Sequence, residues 1–283
     1  MAQTMTGNDR WRQLASVRRA RLAHWLDEVG SRAQVEQVEP RLAEDQDYQR
    51  LAKGWNALAP GEEAAAGLEL EEIFRRIAYS TRPYCQRCGG CCEGAGPTLY
   101  PGDERLVQEG IVARSQLVTL RVGETVFSRW HGRPLALEQE CVRIGAAGSQ
   151  GCSLFDPVGK SCAIYDDRPS QCRTQRCWDT SAADQLIATP GLTRWQLLDE
   201  TSGARPLMAV HDRTCSVTRL RELLPAARAG DDDAQAALDQ LVADDRQIRK
   251  QLIDDGHATE DELAFLLGSP CDELVQRLAD ESD

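Results

Sequence analysis

Cys85-Gln-Arg-Cys88-Gly-Gly-Cys91-Cys92 is the stretch that decides how this chain is read. Cys152, Cys162, Cys172 and Cys177 answer it downstream. Thiolates are soft ligands, and four of them suit Zn²⁺ or an iron–sulfur cluster. Cys85, Cys88 and Cys91 form C-x₂-C-x₂-C, the spacing with which bacterial ferredoxins place three thiolates on a 4Fe–4S cube. Gly89 and Gly90 leave room for backbone to wrap such a cluster. Structural zinc sites also use C-x₂-C pairs, completed by two remote thiolates. Three ligands in one loop favour the cluster over a single zinc. Cys92 follows Cys91 directly, and adjacent side chains diverge, so Cys92 is expected to face a second centre or a disulfide partner. Four early and four late cysteines can build two Cys₄ centres, or one cluster with spare thiols.

Positive residues sit among these thiols: Arg87, Lys160, Arg168, Arg173 and Arg176. A thiolate-bound cluster is an anion, and arginine can neutralise it and donate hydrogen bonds to sulfur. The competing reading is ordinary ion pairing with Asp156, Asp166, Asp167 and Asp179.

The rest of the composition narrows the class. The chain has 283 residues and a net charge of -12. That length allows one large domain or two small ones. An acidic chain repels phosphate backbones, so no nucleic-acid partner is expected. No apolar run is long enough for a membrane span, and no secretory signal is visible, so a cytoplasmic setting without a membrane is expected. Nine of the eleven cysteines fall between Cys85 and Cys177, and the total is odd. In a reducing compartment, clustered thiols of this kind ligate metal or do redox chemistry.

The periodicities predict an α+β fold that is mostly helical. A small irregular cysteine-rich metal-binding core with short strands, residues 81–180, is flanked by helical segments 1–80 and 181–283. Trp11, Leu14, Leu22, Trp25, Leu26 and Val29 predict a helix over 8–30, capped by Asn8 or Asp9. Residues 31–58 continue helical, Pro60-Gly61 breaks the chain, and Leu68 to Tyr79 resumes it. Arg18, Arg19 and Arg21 are read as a solvated helix face. In the middle segment, Asp103 to Glu109 reads as a short helix. Leu117 to Val122, Thr125 to Trp130, Pro134 to Leu137 and Ala163 to Tyr165 read as short extended pieces. Metal rather than a large apolar core is expected to hold this segment. Beyond it, Thr193 to Glu200 reads as a short helix and Pro206 to His211 as extended. Val217 to Arg228 and Asp233 to Asp254 read as a helical hairpin. Thr259 and Glu262 form a capping box, and a last helix starts at Ser269-Pro270.

The motif Cys85-x₂-Cys88-Gly-Gly-Cys91-Cys92, with Gly151-Cys152-Ser-Leu-Phe-Asp156 and Cys162-Ala-Ile-Tyr165-Asp-Asp-Arg168-Pro169-Ser-Gln-Cys172-Arg173, resembles the CxxCxxCC cysteine-cluster family, the YkgJ-type zinc- or iron-chelating domain. The resemblance spans about residues 83–180 and implies a cysteine-rich metal-binding domain. Carried over residue by residue, it implies Cys85, Cys88, Cys91, Cys92, Cys152, Cys162 and Cys172 as metal ligands, with Cys177 the natural eighth. Tyr165, Arg168 and Arg173 are motif positions. Arg87, Arg168 and Arg173 are the residues expected beside the bound group, and Arg168 could hold the loop through a carboxylate or carbonyl. A flagellin lysine methylase carries a similar cysteine pattern. No strand, Gly-rich loop and helix that would hold S-adenosylmethionine is visible here, so methylation is not carried over.

Three readings of the function follow. The first is an iron–sulfur protein serving electron transfer, or redox or maturation support of a protein partner. The second is a zinc-stapled module whose helices bind a partner protein. The third is an enzyme in which a cluster or thiol acts on substrate, but no acid–base pair or nucleotide loop supports it and no catalytic residue is assigned. Cys141 is an alternative ligand to Cys177. His211-Asp-Arg-Thr-Cys215 offers a histidine and a thiol at helical spacing, read as structural, and Cys271 is read as a small buried residue.

Overall fold

The computed structural model describes residues 9–31, 34–59, 61–85, 87–128, 133–146 and 151–280. The chain divides into two compact units: residues 1–86 with 175–184, and residues 87–174 with 185–283. The fold is mostly helical α+β, with the strands confined to three two-stranded ribbons.

The first unit is built from α1 (Arg10–Gln13), α2 (Ala15–Glu28), α3 (Val35–Glu44), α4 (Gln46–Gly54) and α5 (Glu62–Ser80). Asp9 supplies the first cap, accepting from the Arg12 N–H at 3.1 Å, while Asn8 lies outside the described residues. Leu22 and Leu26 of α2 meet Ile73 and Phe74 of α5, and Val38, Leu42 and Leu51 close the core between them. Trp11 sits against Tyr48 and Trp55, with ring centroids 5.3 and 5.4 Å away. α5 begins six residues earlier than the apolar spacing predicts, because Glu62 and Glu63 suit a helix N-terminus. The arginines of α2 are engaged within the unit. Arg18 stacks on the Trp11 ring at 3.8 Å, Arg19 pairs with Glu36 and Glu39, and Arg21 pairs with Glu71.

The second unit joins the cysteine segment to the C-terminal helices. Its first ribbon pairs β1 (Leu117–Leu120) with β4 (Cys141–Ile144), antiparallel, Leu117 opposite Ile144. The second pairs β2 (Thr125–Ser128) with β3 (Arg133–Ala136), and the third pairs β5 (Phe155–Asp156) with β6 (Ser161–Cys162). Residues 129 and 130, expected to extend β2, lie outside the described residues. β4 is a strand that the sequence reading leaves as loop. Ala163 to Tyr165, read as extended, follows β6 as a turn.

Short helices punctuate this region: α6 (Gly90–Gly94), α7 (Glu104–Gln108), α8 (Ser170–Thr174), α9 (Ser181–Ile187, at the unit boundary) and α10 (Arg194–Leu197). Then come α11 (Ala204–Thr214), α12 (Val217–Arg228), α13 (Asp232–Asp254), α14 (Leu263–Leu267) and α15 (Cys271–Asp280). α12 and α13 form the expected hairpin. The Glu262 carboxylate accepts from the Thr259 N–H at 3.1 Å, as the capping box requires. The span Pro206 to His211 is helical rather than extended. Pro206 sits in the first turn of α11, where a helix needs no backbone donor and the fixed φ of proline is already helical.

One core runs through the second unit. Leu99, Leu117, Val142 and Ile144 pack with Met208, Leu220, Leu252, Phe265 and Leu274. The expectation that metal substitutes for an apolar core in the cysteine segment is therefore corrected. The β1–β4 ribbon borrows the core of the helices that follow it, because β1 lays its buried face against α14.

Candidate metal centre

All eleven cysteines are free thiols. Of the expected ligands, Cys88, Cys91, Cys92, Cys152, Cys162 and Cys172 belong to the second unit. Cys85 and Cys177 belong to the first, where Cys85 is exposed and Cys177 packs with Trp178 on the helical core.

The approach to the site is shaped by backbone. Arg87 takes φ 55°, a left-handed conformation uncommon for a residue with a side chain, and Gly89 takes φ 88°. A Cβ at Gly89 would come within 2.7 Å of the Phe155 ring. Gly89 thus lets the loop turn tightly against β5 and enter α6, which carries Cys91 and Cys92. Their sulfurs lie 4.0 Å apart and share a hydrogen bond. The expected divergence of these neighbours is not found. Consecutive positions on a helix are only about 100° apart, so two flexible thiols can lean to one side.

The second half comes from the β5–β6 hairpin and α8. The Cys152 N–H donates to the Cys92 carbonyl at 2.7 Å, pinning the hairpin to α6. Cys162 lies opposite Phe155 on β6. α8 positions Cys172, and a buried carboxylate positions α8. Asp103, 1% exposed, accepts from the Ser170 N–H and hydroxyl, both at 2.9 Å, and from the Tyr100 N–H at 3.0 Å. Arg173 lies 3.6 Å from the same carboxylate. The sequence reading takes Asp103 only as the start of a short helix and misses its role beneath α8. Its distance of 67 residues from Ser170 hides the pairing.

The arginines arrange themselves around Tyr165. Arg168 stacks on its ring at 3.7 Å and Arg87 lies over it at 4.5 Å. Arg168 also donates to the Tyr165 carbonyl at 2.7 Å. Arg168 is thereby held in the loop that ends at Cys172 and Arg87, from the early loop, against it, while Arg173 is drawn toward Asp103.

The thiols of this unit penalise one another's ionisation. Burial, then the charges of Cys152, Cys91 and Cys162, pushes Cys172 up to about 12. Burial also raises Cys152, with Cys162 and Cys91 adding to it. Cys92 is raised by its hydrogen bond with Cys91, then by burial, then by the charges of Cys91, Cys152 and Cys172. Cys92, Cys152 and Cys172, each raised by burial and by neighbouring thiols, are short of a positive charge. A bound metal would supply it, displacing the thiol protons, so affinity falls as pH falls. This donor set fits both an iron–sulfur cluster and a zinc ion. Cys141 stands apart on β4. It is pushed up to about 11 by burial and by Glu140 and Glu124.

Residues 84–190 match the CxxCxxCC family model, described as a "putative zinc- or iron-chelating domain". The match covers the α6 loop, the β5–β6 hairpin and α8, and supports metal binding by this segment. The helices from α10 onward lie outside it. No curated protein and no solved structure matches the chain. Among the described residues no helix is long and apolar enough to cross a membrane.

Gly89→Ala tests how closely the site depends on its backbone. Strain at a positive φ costs more than about 1 kcal/mol, and the Phe155 clash adds to it. Gly102, with φ 98° and open space around its Cβ position, is the control. Gly89→Ala is expected to lower thermal stability and metal retention, whereas Gly102→Ala lowers stability alone.

Proposed function

We propose that the chain is a metal-binding protein carrying an iron–sulfur cluster of the 4Fe–4S type, serving electron transfer or redox or maturation support of a partner protein in the cytoplasm. The reading rests on the ferredoxin-like spacing of Cys85, Cys88 and Cys91, and it is supported by the charges of Cys91, Cys152 and Cys162 opposing ionisation of Cys172. Cys88 lies three residues before Cys91, and the C-x₂-C-x₂-C spacing adds Cys85. A cluster bound there would supply a one-electron redox centre.

The chain's own residues account for the rest. Cys152 and Cys172 are half-buried, while Cys88 and Cys91 are exposed. An exposed edge offers a short path to a docked partner. The guanidinium groups of Arg87 and Arg168, fixed on Tyr165, hold positive charge in the same loops. The test is electron paramagnetic resonance of anaerobically purified protein before and after dithionite. A signal that appears on reduction and disappears on reoxidation supports a redox role. A zinc protein with no signal in either state contradicts it.

A further inference from the structure

A second set of metal-ligand residues lies outside the family segment. His211 at the end of α11, Cys215 just beyond it, Asp245 in the middle of α13 and Cys271 at the start of α15 converge. One ligand atom from each lies within 4.8 Å of all the others, and all four residues are buried. From the tetrahedral bond lengths of zinc, about 2.3 Å to sulfur and about 2.0 Å to nitrogen, neighbouring donors sit roughly 3.3–3.8 Å apart. The set is therefore within about 1 Å of closing around an ion.

We propose that His211, Cys215, Asp245 and Cys271 form a structural site for a zinc-class divalent cation, separate from the cysteine cluster. Two thiolates, an imidazole nitrogen and a carboxylate oxygen make a closed four-ligand set of the kind that borderline-soft ions take. Loading the site releases one proton from each thiol. The bound ion with two thiolates and one carboxylate leaves one net negative charge. Arg249, at 2.9 Å from Asp245, and Arg121, which donates to the Cys215 carbonyl at 3.0 Å, lie beside it to balance that charge.

The surroundings fit a ligand histidine. His211 is fully buried, 0% exposed. Its Nε2 lies 2.7 Å from Asp245 Oδ1. Its Nδ1 is fully buried with no hydrogen-bond partner among the described residues, 4.0 Å from Asp212 Oδ1. Asp245 itself occupies a position that the helix pattern assigns to an apolar residue. Leu238, Leu241, Ile248 and Leu252 are its companions on the buried stripe of α13. An ion here would tie α11, α13 and α15 to one point.

The test is metal analysis of the full chain beside a Cys215→Ala, Cys271→Ala double variant. Alanine keeps the interior apolar, so the helices can still pack. The wild-type chain is expected to hold one more equivalent of zinc than the variant, with iron and sulfide equal in both. Equal zinc in the two folded proteins overturns the site, as does a Cys215–Cys271 disulfide in peptide maps of the native protein. Should the variant fail to fold, cadmium-113 resonance of the wild-type chain decides. A signal in the range of two-thiolate coordination supports the site, and signals from all-thiolate sites alone overturn it.

Discussion

Serine at both Cys91 and Cys172 is expected to abolish metal binding by the α6–α8 region while leaving the second unit folded. These two thiols belong to different halves of the site, α6 and α8, and each raises the pKa of its neighbours. Their loss leaves Cys92, Cys152 and Cys162 without a ligand from α8 and without the middle of the early motif. A serine hydroxyl stays protonated and is a poor ligand for a soft site. The expected readout is near-complete loss of bound iron and sulfide, with the zinc of the His211 set retained. Cooperative unfolding should survive, because Leu117, Val142 and Ile144 are anchored by Leu220, Phe265 and Leu274 rather than by the thiols. Circular dichroism of the variant through a thermal scan checks the second half of this expectation. Loss of cooperative unfolding would mean that metal, after all, organises the unit.

The second large effect is expected at Arg194→Met. Arg194 is 1% exposed. It donates to the Leu266 carbonyl at 2.7 Å, pairs with Asp212, and lies 3.3 Å from Glu140. Its backbone N–H donates to Glu140 at 2.9 Å and fixes the start of α10. Removing the guanidinium leaves the half-buried Glu140 carboxylate without its cation, a loss bounded above by the about 3–5 kcal/mol of a fully buried pair. Burial already raises the pKa of Glu140, with Arg194 opposing that rise. A carboxyl whose folded pKa lies above its unfolded value binds the proton more tightly when folded. Its cost therefore appears as pH rises through the glutamate range and is relieved as pH falls. The Arg194→Met defect should be larger at about pH 8 than at about pH 5 in urea titrations. Adding Glu140→Gln should recover part of the loss, since both partners are then neutral. A pH-independent defect with no recovery would locate the loss in packing alone.

The helical parts of this fold are legible because their apolar residues repeat at helical spacing. Leu22, Leu26, Leu238 and Leu252 all land where that spacing puts them. Pro206 misleads because proline reads as a breaker unless its place in the first turn is known. β4 is illegible because Cys141-Val-Arg-Ile144 is too short to show its alternation. The joining of the ribbons to the C-terminal helices is a contact over more than a hundred residues, which no local pattern encodes.

The site was legible in a different way. Cys88, Cys91, Cys92, Cys152, Cys162 and Cys172 are marked by residue type and spacing, and the structure gathers them in one unit. What holds them was hidden: Asp103 beneath α8, and Phe155 against Gly89. The buried set around His211 left two signals in the sequence, the first being His211 and Cys215 at helical spacing. A lone aspartate, Asp245, interrupts an apolar stripe that is otherwise unbroken at its positions.

The central claim is that the clustered thiols carry an iron–sulfur cluster, and purification without oxygen followed by iron, acid-labile sulfide and zinc analysis tests it most directly. Brown protein with matching, stoichiometric iron and sulfide, lost in the Cys91→Ser, Cys172→Ser variant, is the expected result. Colourless protein with zinc alone, and zinc lost in that same variant, would contradict it.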